Sequence, residues 1–215
     1  MPKDIQDLLE GYQQFKQTYF VDHQTTLYHS LATEGQRPKA IVIACADSRV
    51  DPAILTQAAP GDLFVVRNVA NLVPPCENDH TTHHGTSAAL EFAVCGLQVK
   101  HIIVLGHSQC GGIKALVEQS PALTEQSFIG DWMDLAKPAR IITFKTIPDA
   151  SLEQKVDFCT QQALIQSRKN LLTFPWIQSR VQEHKLFIHN WFFDIKTGTL
   201  AIYDSEKDSF IPYSN

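Results

Sequence analysis

Two cysteines and one histidine lie where two apolar, strand-like runs come to an end. Cys45 closes KAIVIAC, and His107 with Cys110 stand in GHSQCGG at the end of HIIVLG. Two thiolates and an imidazole form a zinc ligand set, and three protein ligands leave the fourth tetrahedral position open, as at a catalytic rather than a structural zinc. A cysteine at the end of a buried strand is, by itself, an ordinary small apolar residue. Only the three together point to a metal.

Asp47 and Arg49 follow Cys45 at every second residue in CADSR. If extended geometry persists past the strand, Cys45, Asp47 and Arg49 share one side. Arg49 can then hold the Asp47 carboxylate in a bidentate pair that keeps it ionised. A carboxylate fixed in this way can accept a hydrogen bond from zinc-bound water and help remove its proton, or it can swing in and take the fourth zinc position itself. The plain alternative is a salt bridge in a surface turn. The turn GHSQCGG leads into IKALVEQ and presents backbone N–H groups at a helix N-terminus, which suits bicarbonate or phosphate. It lacks the GxxxxGK[ST] pattern of a nucleotide loop. His80, His83 and His84 in NDHTTHHG read either as a proton relay, since histidine titrates near neutrality, or as an exposed loop. Cys76, Cys95 and Cys159 read as inert thiols.

These groups need a scaffold that brings distant strand ends together, and open α/β sheets gather their sites at the carboxyl ends of strands. Ala40 to Ala44, Leu63 to Val69 and Ile102 to Leu105 are apolar runs rich in β-branched residues, as in central strands of a parallel sheet. Helical patterns alternate with them: Pro52 to Ala59, Thr86 to Gly96, and IKALVEQ. The predicted fold class is therefore α/β, a mostly parallel central sheet flanked by helices on both faces. The segment from Ser120 to Asp149 contains Pro121, Pro138 and Pro148 and reads as irregular, with one short helix around Phe128 to Ala136. Ser151 is the N-cap of a long helix through Leu172, Pro175 opens another, and two strand-like runs flank Lys196-Thr197-Gly198 as a hairpin. At the other end, Ile5, Leu8, Leu9, Tyr12, Phe15, Tyr19 and Phe20 share one face of an amphipathic helix over residues 2 to 20. That face can dock on its own domain or on a neighbouring subunit.

A length of 215 residues suits one domain over 1–215, with a helical arm at 1–34, a zinc-binding α/β core at 35–119, and helices with a closing hairpin at 120–215. Eighteen basic residues against 23 acidic ones give a net charge of −5 with no basic stripe, which argues against a nucleic-acid partner. Neither a signal peptide nor a membrane span is visible, so a soluble, cytoplasmic protein with no membrane partner is expected. Five cysteines in such a chain read as free thiols or metal ligands in a reducing compartment.

Four segments, CADSRVDP at 45–52, PGDLFVVRNVANLVPP at 60–75, HGTSAALEFAV at 84–94 and GHSQCGG at 106–112, resemble the β-class carbonic anhydrases, on their plant-like branch. The similarity extends more weakly through NLLTFPW to the closing hairpin. The resemblance implies zinc-dependent reversible hydration of CO2 to bicarbonate and a proton through a zinc-bound hydroxide. It implies one Zn2+ per chain on Cys45, His107 and Cys110, joined by Asp47 only in a closed form, and an Asp47/Arg49 catalytic dyad. It also implies Gln36 as a hydrogen-bond donor to substrate and Phe64, Val69 and Gly111 as pocket walls. Phe92 fills a position where the family has tyrosine, so a phenolic hydroxyl is lost there. The implied assembly is a dimer or a higher even-numbered oligomer, with the pocket at the subunit interface. One branch of the family binds bicarbonate at a non-catalytic site, whose positions here are Val42, Arg67 and Phe193, so only the arginine remains. Rival readings are the same metal chemistry on CS2 or COS, a zinc or redox sensor, and a cysteine phosphatase. The last is disfavoured because CADSR lacks the C-x5-R spacing.

Overall fold

A computed structural model of the chain describes residues 2–20, 27–77, 84–121, 123 and 127–214. Helices α1 (Lys3–Tyr19) and α2 (Leu27–Glu34) precede the sheet. Six strands follow, β1 (Ala40–Cys45), β2 (Leu63–Asn68), β3 (His101–His107), β4 (Phe187–Phe193), β5 (Leu200–Asp204) and β6 (Ser209–Pro212), in the order β2-β1-β3-β4-β5-β6. The first four run parallel, and β5 and β6 are added antiparallel at one edge. Parallel neighbours need crossovers, which are supplied by α3 (Pro52–Thr56), α4 (Gly85–Glu91), α5 (Gly111–Glu118), α6 (Phe128–Met133), α7 (Lys137–Thr146), α8 (Leu152–Leu171) and α9 (Pro175–Gln182).

Alternation along β1 and β3 divides the core. Ile41, Ile43, Ile102 and Val104 pack against Leu90, Leu164, Leu171 and Ile177, while Val42, Ala44, Ile103 and Leu105 meet Val50, Leu55, Trp191 and Phe193 on the opposite face. Helix α8 lies close to β3 because Gly106 has no side chain: a Cβ there would come within 3.1 Å of Leu164 and of Thr160. The start of α8 is fixed by a reciprocal cap, with Ser151 Oγ accepting from Gln154 N and Gln154 Oε1 accepting from Ser151 N. A third cluster covers the carboxyl ends of β1 and β3, where Cys45, Ala70 and Cys110 join Ile113, Met133, Ala136, Val156 and Cys159.

Several elements differ from the sequence reading. The helix expected over 52–59 stops at Thr56, because Gln57 turns left-handed at φ 52° and closes it. The helix expected over 86–96 is α-helical only to Glu91 and continues through Gly96 as a π-turn. The segment 120–149 carries the ten-residue α7 as well as α6; Pro138 sits in its first turn, where a missing N–H costs no hydrogen bond. The closing hairpin has a third strand, β6, an edge strand that tolerates Pro212 at its end.

The arm behaves as its pattern predicts, with one further detail. No residue of α1 is buried, and Leu8 and Tyr12 are 71% and 53% exposed. Phe15 and Phe20 pack on Tyr28, ring centroids 5.5 and 5.0 Å away, which ties α1 to α2. Among the described residues, no helix is long and apolar enough to cross a membrane.

Candidate metal centre

Strands β1 and β3 are neighbours in register from Ala40↔His101 to Ala44↔Leu105, so Cys45 and His107 emerge side by side. The left-handed turn at Gln109 (φ 57°) then brings Cys110 back over them as the N-cap of α5. Cys45 Sγ and Cys110 Sγ lie 3.9 Å apart, and the ligand atoms of Cys45, His107 and Cys110 are all within 4.8 Å of one another. Two thiolates on a tetrahedral zinc at ~2.3 Å would stand ~3.8 Å apart. The sulfur spacing therefore fits the ion.

His107 gives the second test of fit. Its Nδ1 lies 2.8 Å from the Ser108 carbonyl, which fixes the ring with the proton on that side. Its Nε2 is fully buried and has no hydrogen-bond partner. A buried imidazole nitrogen with a free lone pair, facing two thiols, is satisfied by a metal. All five cysteines are free of disulfides.

The two sulfurs are within hydrogen-bond reach, so one thiol can stabilise the ionised form of the other. The hydrogen bond from Cys110 lowers the Cys45 pKa to about 4 against its burial, and His107 and the Asp47 amide help. Cys110 is pushed up, first by that same hydrogen bond and then by burial. The Gly112 and Ile113 amides favour a Cys110 thiolate, without forming a capping hydrogen bond. The N–H groups of the glycine-rich turn thus lie at a metal ligand, Cys110. Burial lowers the pKa of His107, but the neighbouring Cys45 outweighs it, so the net shift is upward.

Asp47 and Arg49 form the expected pair by a different geometry. The backbone does not stay extended past Cys45: it makes a turn in which Val50 N donates to Asp47 O. Within the turn, Arg49 N and Nε both donate to Asp47 Oδ1 at 2.9 Å, and Nη2 donates to Oδ2 at 2.7 Å. These bonds hold the Asp47 carboxyl well below the usual carboxylate range. Asp47 Oδ2 stands 3.9 Å from His107 Nε2, oriented by Arg49 at the edge of the ligand set. Arg67 braces the turn from β2, donating to Cys45 O (2.9 Å), Asp47 O (2.6 Å) and Val50 O (3.1 Å) and pairing with Asp51 (3.2 Å).

The other expected site residues fall into two contacts and one outlier. The Phe64 and Phe92 rings are 5.8 Å apart, with Phe92 53% exposed. Val69 packs so tightly on α5 that a Cβ on Gly112 would lie 2.8 Å from its Cγ1, next to the exposed Gly111. Gln36 is exposed in the link from α2 to β1. Sequence reasoning missed Trp132, whose indole N–H donates to Val69 O at 2.8 Å, and a cleft of about 720 Å³ that runs from Val69 past Thr86 and His84 to Phe128. His84 stands 3.7 Å from Glu77; His80 and His83 lie outside the described residues. Cys159 is buried, which pushes its thiol up to about 11.

A parallel sheet that gathers two thiols, an imidazole and a fixed carboxylate at its carboxyl end defines a mononuclear zinc enzyme. The chain belongs to the carbonic anhydrase family, in its β class: the family's sequence profile, described as "Carbonic anhydrase", matches residues 40–200. Beta carbonic anhydrase 3 of Arabidopsis thaliana is 38% identical over 93% of this chain and 77% of its own length. A carbonic anhydrase of Synechocystis sp. is 34% identical over 96% of this chain and 74% of its own. The solved structure of the β-carbonic anhydrase CcaA superimposes with a TM-score of 0.90 at 33% identity, covering 100% of this chain and 94% of that one. A tetrameric β-carbonic anhydrase from Sordaria macrospora does so with a TM-score of 0.80 at 29% identity, covering 94% and 97%.

Proposed function

We propose that this chain hydrates CO2 reversibly to bicarbonate and a proton, with zinc held by Cys45, His107 and Cys110 and with Asp47 and Arg49 as its catalytic residues. The observation that carries the reading is the Asp47 carboxylate, gripped by Arg49 through both oxygens and standing 3.9 Å from the lone-pair nitrogen of His107. When bound at these ligands, zinc would supply a polarised water as the nucleophile, less acidic than at an all-histidine site because two thiolates offset the ion's charge. The remaining work belongs to the protein. Asp47 is ionised and fixed, so it accepts a hydrogen bond and orients the attacking oxygen toward CO2. Its low pKa makes it a poor resting place for the proton, which must pass on to solvent or buffer. Phe64, Val69, Gly111 and Phe92 line the apolar side where CO2 sits, and Gln36 donates a hydrogen bond to the substrate from a neighbouring subunit.

Assembly as a dimer or a larger even-numbered oligomer follows from the uncovered apolar face of α1 and from the exposure of Phe92 and Val69. In this reading residues 1–34 are the arm that reaches the partner, and 35–119 with 120–215 make one catalytic domain. Five unpaired cysteines fit a reducing, cytoplasmic setting. The decisive experiment is stopped-flow CO2 hydration on protein of measured zinc content. Turnover should scale with zinc occupancy; fully loaded protein that leaves the uncatalysed rate unchanged would overturn the reading.

A further inference from the structure

Between two of the metal ligands lies a residue that none of the chemistry above uses. Gln109 separates His107 from Cys110 and holds φ at 57°, a left-handed conformation that glutamine adopts only under constraint. Both of its backbone groups are tied, in opposite directions. Its N–H donates to Asp157 Oδ1 on α8 at 3.1 Å, and its carbonyl accepts from Arg49 Nη2 at 3.3 Å. That same Nη2 donates to Asp47 Oδ2 at 2.7 Å. A continuous chain of hydrogen bonds therefore runs from a carboxylate on a distant helix, through one peptide residue, to the guanidinium that aims Asp47.

We propose that Asp157 is a positioning residue for the reaction: by anchoring the Gln109 turn it holds Arg49, and through Arg49 the Asp47 carboxylate, in the working orientation. The inference rests on the proposed role of the Asp47/Arg49 pair. Asp157 reaches no ligand atom itself. It lies behind the loop, beside a small cleft lined by Lys114, Leu152, Glu153 and Val156. The opposite flank of the loop is tied separately, by Ser108 Oγ donating to Asp194 and accepting from Ile195 N. Loss of Asp157 should therefore release the Gln109 peptide and leave His107 and Ser108 in place. The left-handed turn would relax, its carbonyl would leave Nη2, and Arg49 would lose its hydrogen bond to the opposite strand end.

The test uses the whole chain and five variants. D157A should keep its zinc and lose about tenfold in kcat, the usual scale for groups that orient metal-site residues from behind. D157N retains an oxygen that can accept from Gln109 N, so it should stay within about twofold of wild type. In a D47N background, adding D157A should cost nothing more, because its effect passes through Asp47. A readout independent of turnover is the Arg49 guanidinium Nε–H signal in NMR of the zinc-free protein, which should broaden or shift in D157A and not in D157N. If D157A does not fold, D157S, whose hydroxyl is too short to reach Gln109, carries the same expectations. Wild-type kcat in D157A or D157S, an equal loss in the D47N background, or an unchanged Arg49 signal would overturn the proposal. Failure of the dyad itself is distinguishable: D47N would then match wild type, whatever Asp157 does.

Discussion

Asp47 Oδ2 and His107 Nε2 stand 3.9 Å apart although they belong to different strand ends, and only the Asp47 oxygen has a donor, Arg49. This pairing of a held acceptor with a free lone pair separates two roles that mutation can resolve. D47N should retain one zinc per chain and lose on the order of a hundredfold in kcat, the scale of losing one preorganised hydrogen-bonding group at the reacting atoms. R49A should fall similarly. Metal analysis beside stopped-flow rates checks both; unchanged turnover in either would reduce the pair to a structural salt bridge.

The same pair links stability to acid. Arg49 depresses the Asp47 pKa in the folded protein, so the stabilisation is complete above the unfolded carboxylate value of about 3.9 and disappears as pH falls through the lower folded value. Urea unfolding of wild type and D47N should therefore differ at pH 6 and converge toward pH 2. A gap that widens on acidification would contradict the assignment.

Removal of a ligand should separate metal from fold. H107A should bind no zinc and show no activity, since the remaining two sulfurs make an incomplete set. Stripping zinc from wild type with a chelator should lower its melting temperature, because the ion binds only the folded site. Full occupancy in H107A, measured by elemental analysis, would remove His107 from the ligand set.

Helix α1 carries a test of assembly. Leu8 is 71% exposed on the uncovered apolar face, so L8E should leave the fold intact while shifting the protein toward smaller species in light scattering. Wild type that is an active monomer at working concentration would refute the arm-mediated assembly.

Bicarbonate should not switch this protein off. Arg67, the one matching residue of the non-catalytic anion site that the family resemblance implies, already donates to three carbonyls and pairs with Asp51, while the side chains of Val42 and Phe193 carry no hydrogen-bonding groups. A buried anion there would go uncompensated. Activity should fall smoothly as pH drops, whereas a steep, bicarbonate-dependent loss would sink this expectation.

The ligand set was legible because Cys45, His107 and Cys110 follow continuous apolar runs, and such runs announce where a parallel sheet ends. The Asp47/Arg49 ion pair was legible in the residue types, but not the turn that makes it, since a turn closed by the aspartate's own side chain leaves no mark on hydrophobic periodicity. Helix α7 was hidden by Pro138, which interrupts a pattern read locally yet sits comfortably in a first turn. Asp157 was invisible for a deeper reason: its meaning depends on which loop α8 happens to cross, and only tertiary packing decides that.

The adjacency of β1 and β3 has a consequence for how the protein matures. His107 and Cys110 emerge from synthesis together, but Cys45 lies 65 positions before Cys110, and only pairing of the two strands brings it near. A one-residue slip of β1 would turn Cys45 to the wrong side of the sheet. Zinc binding by all three ligands would therefore require that the crossover has closed in the correct register.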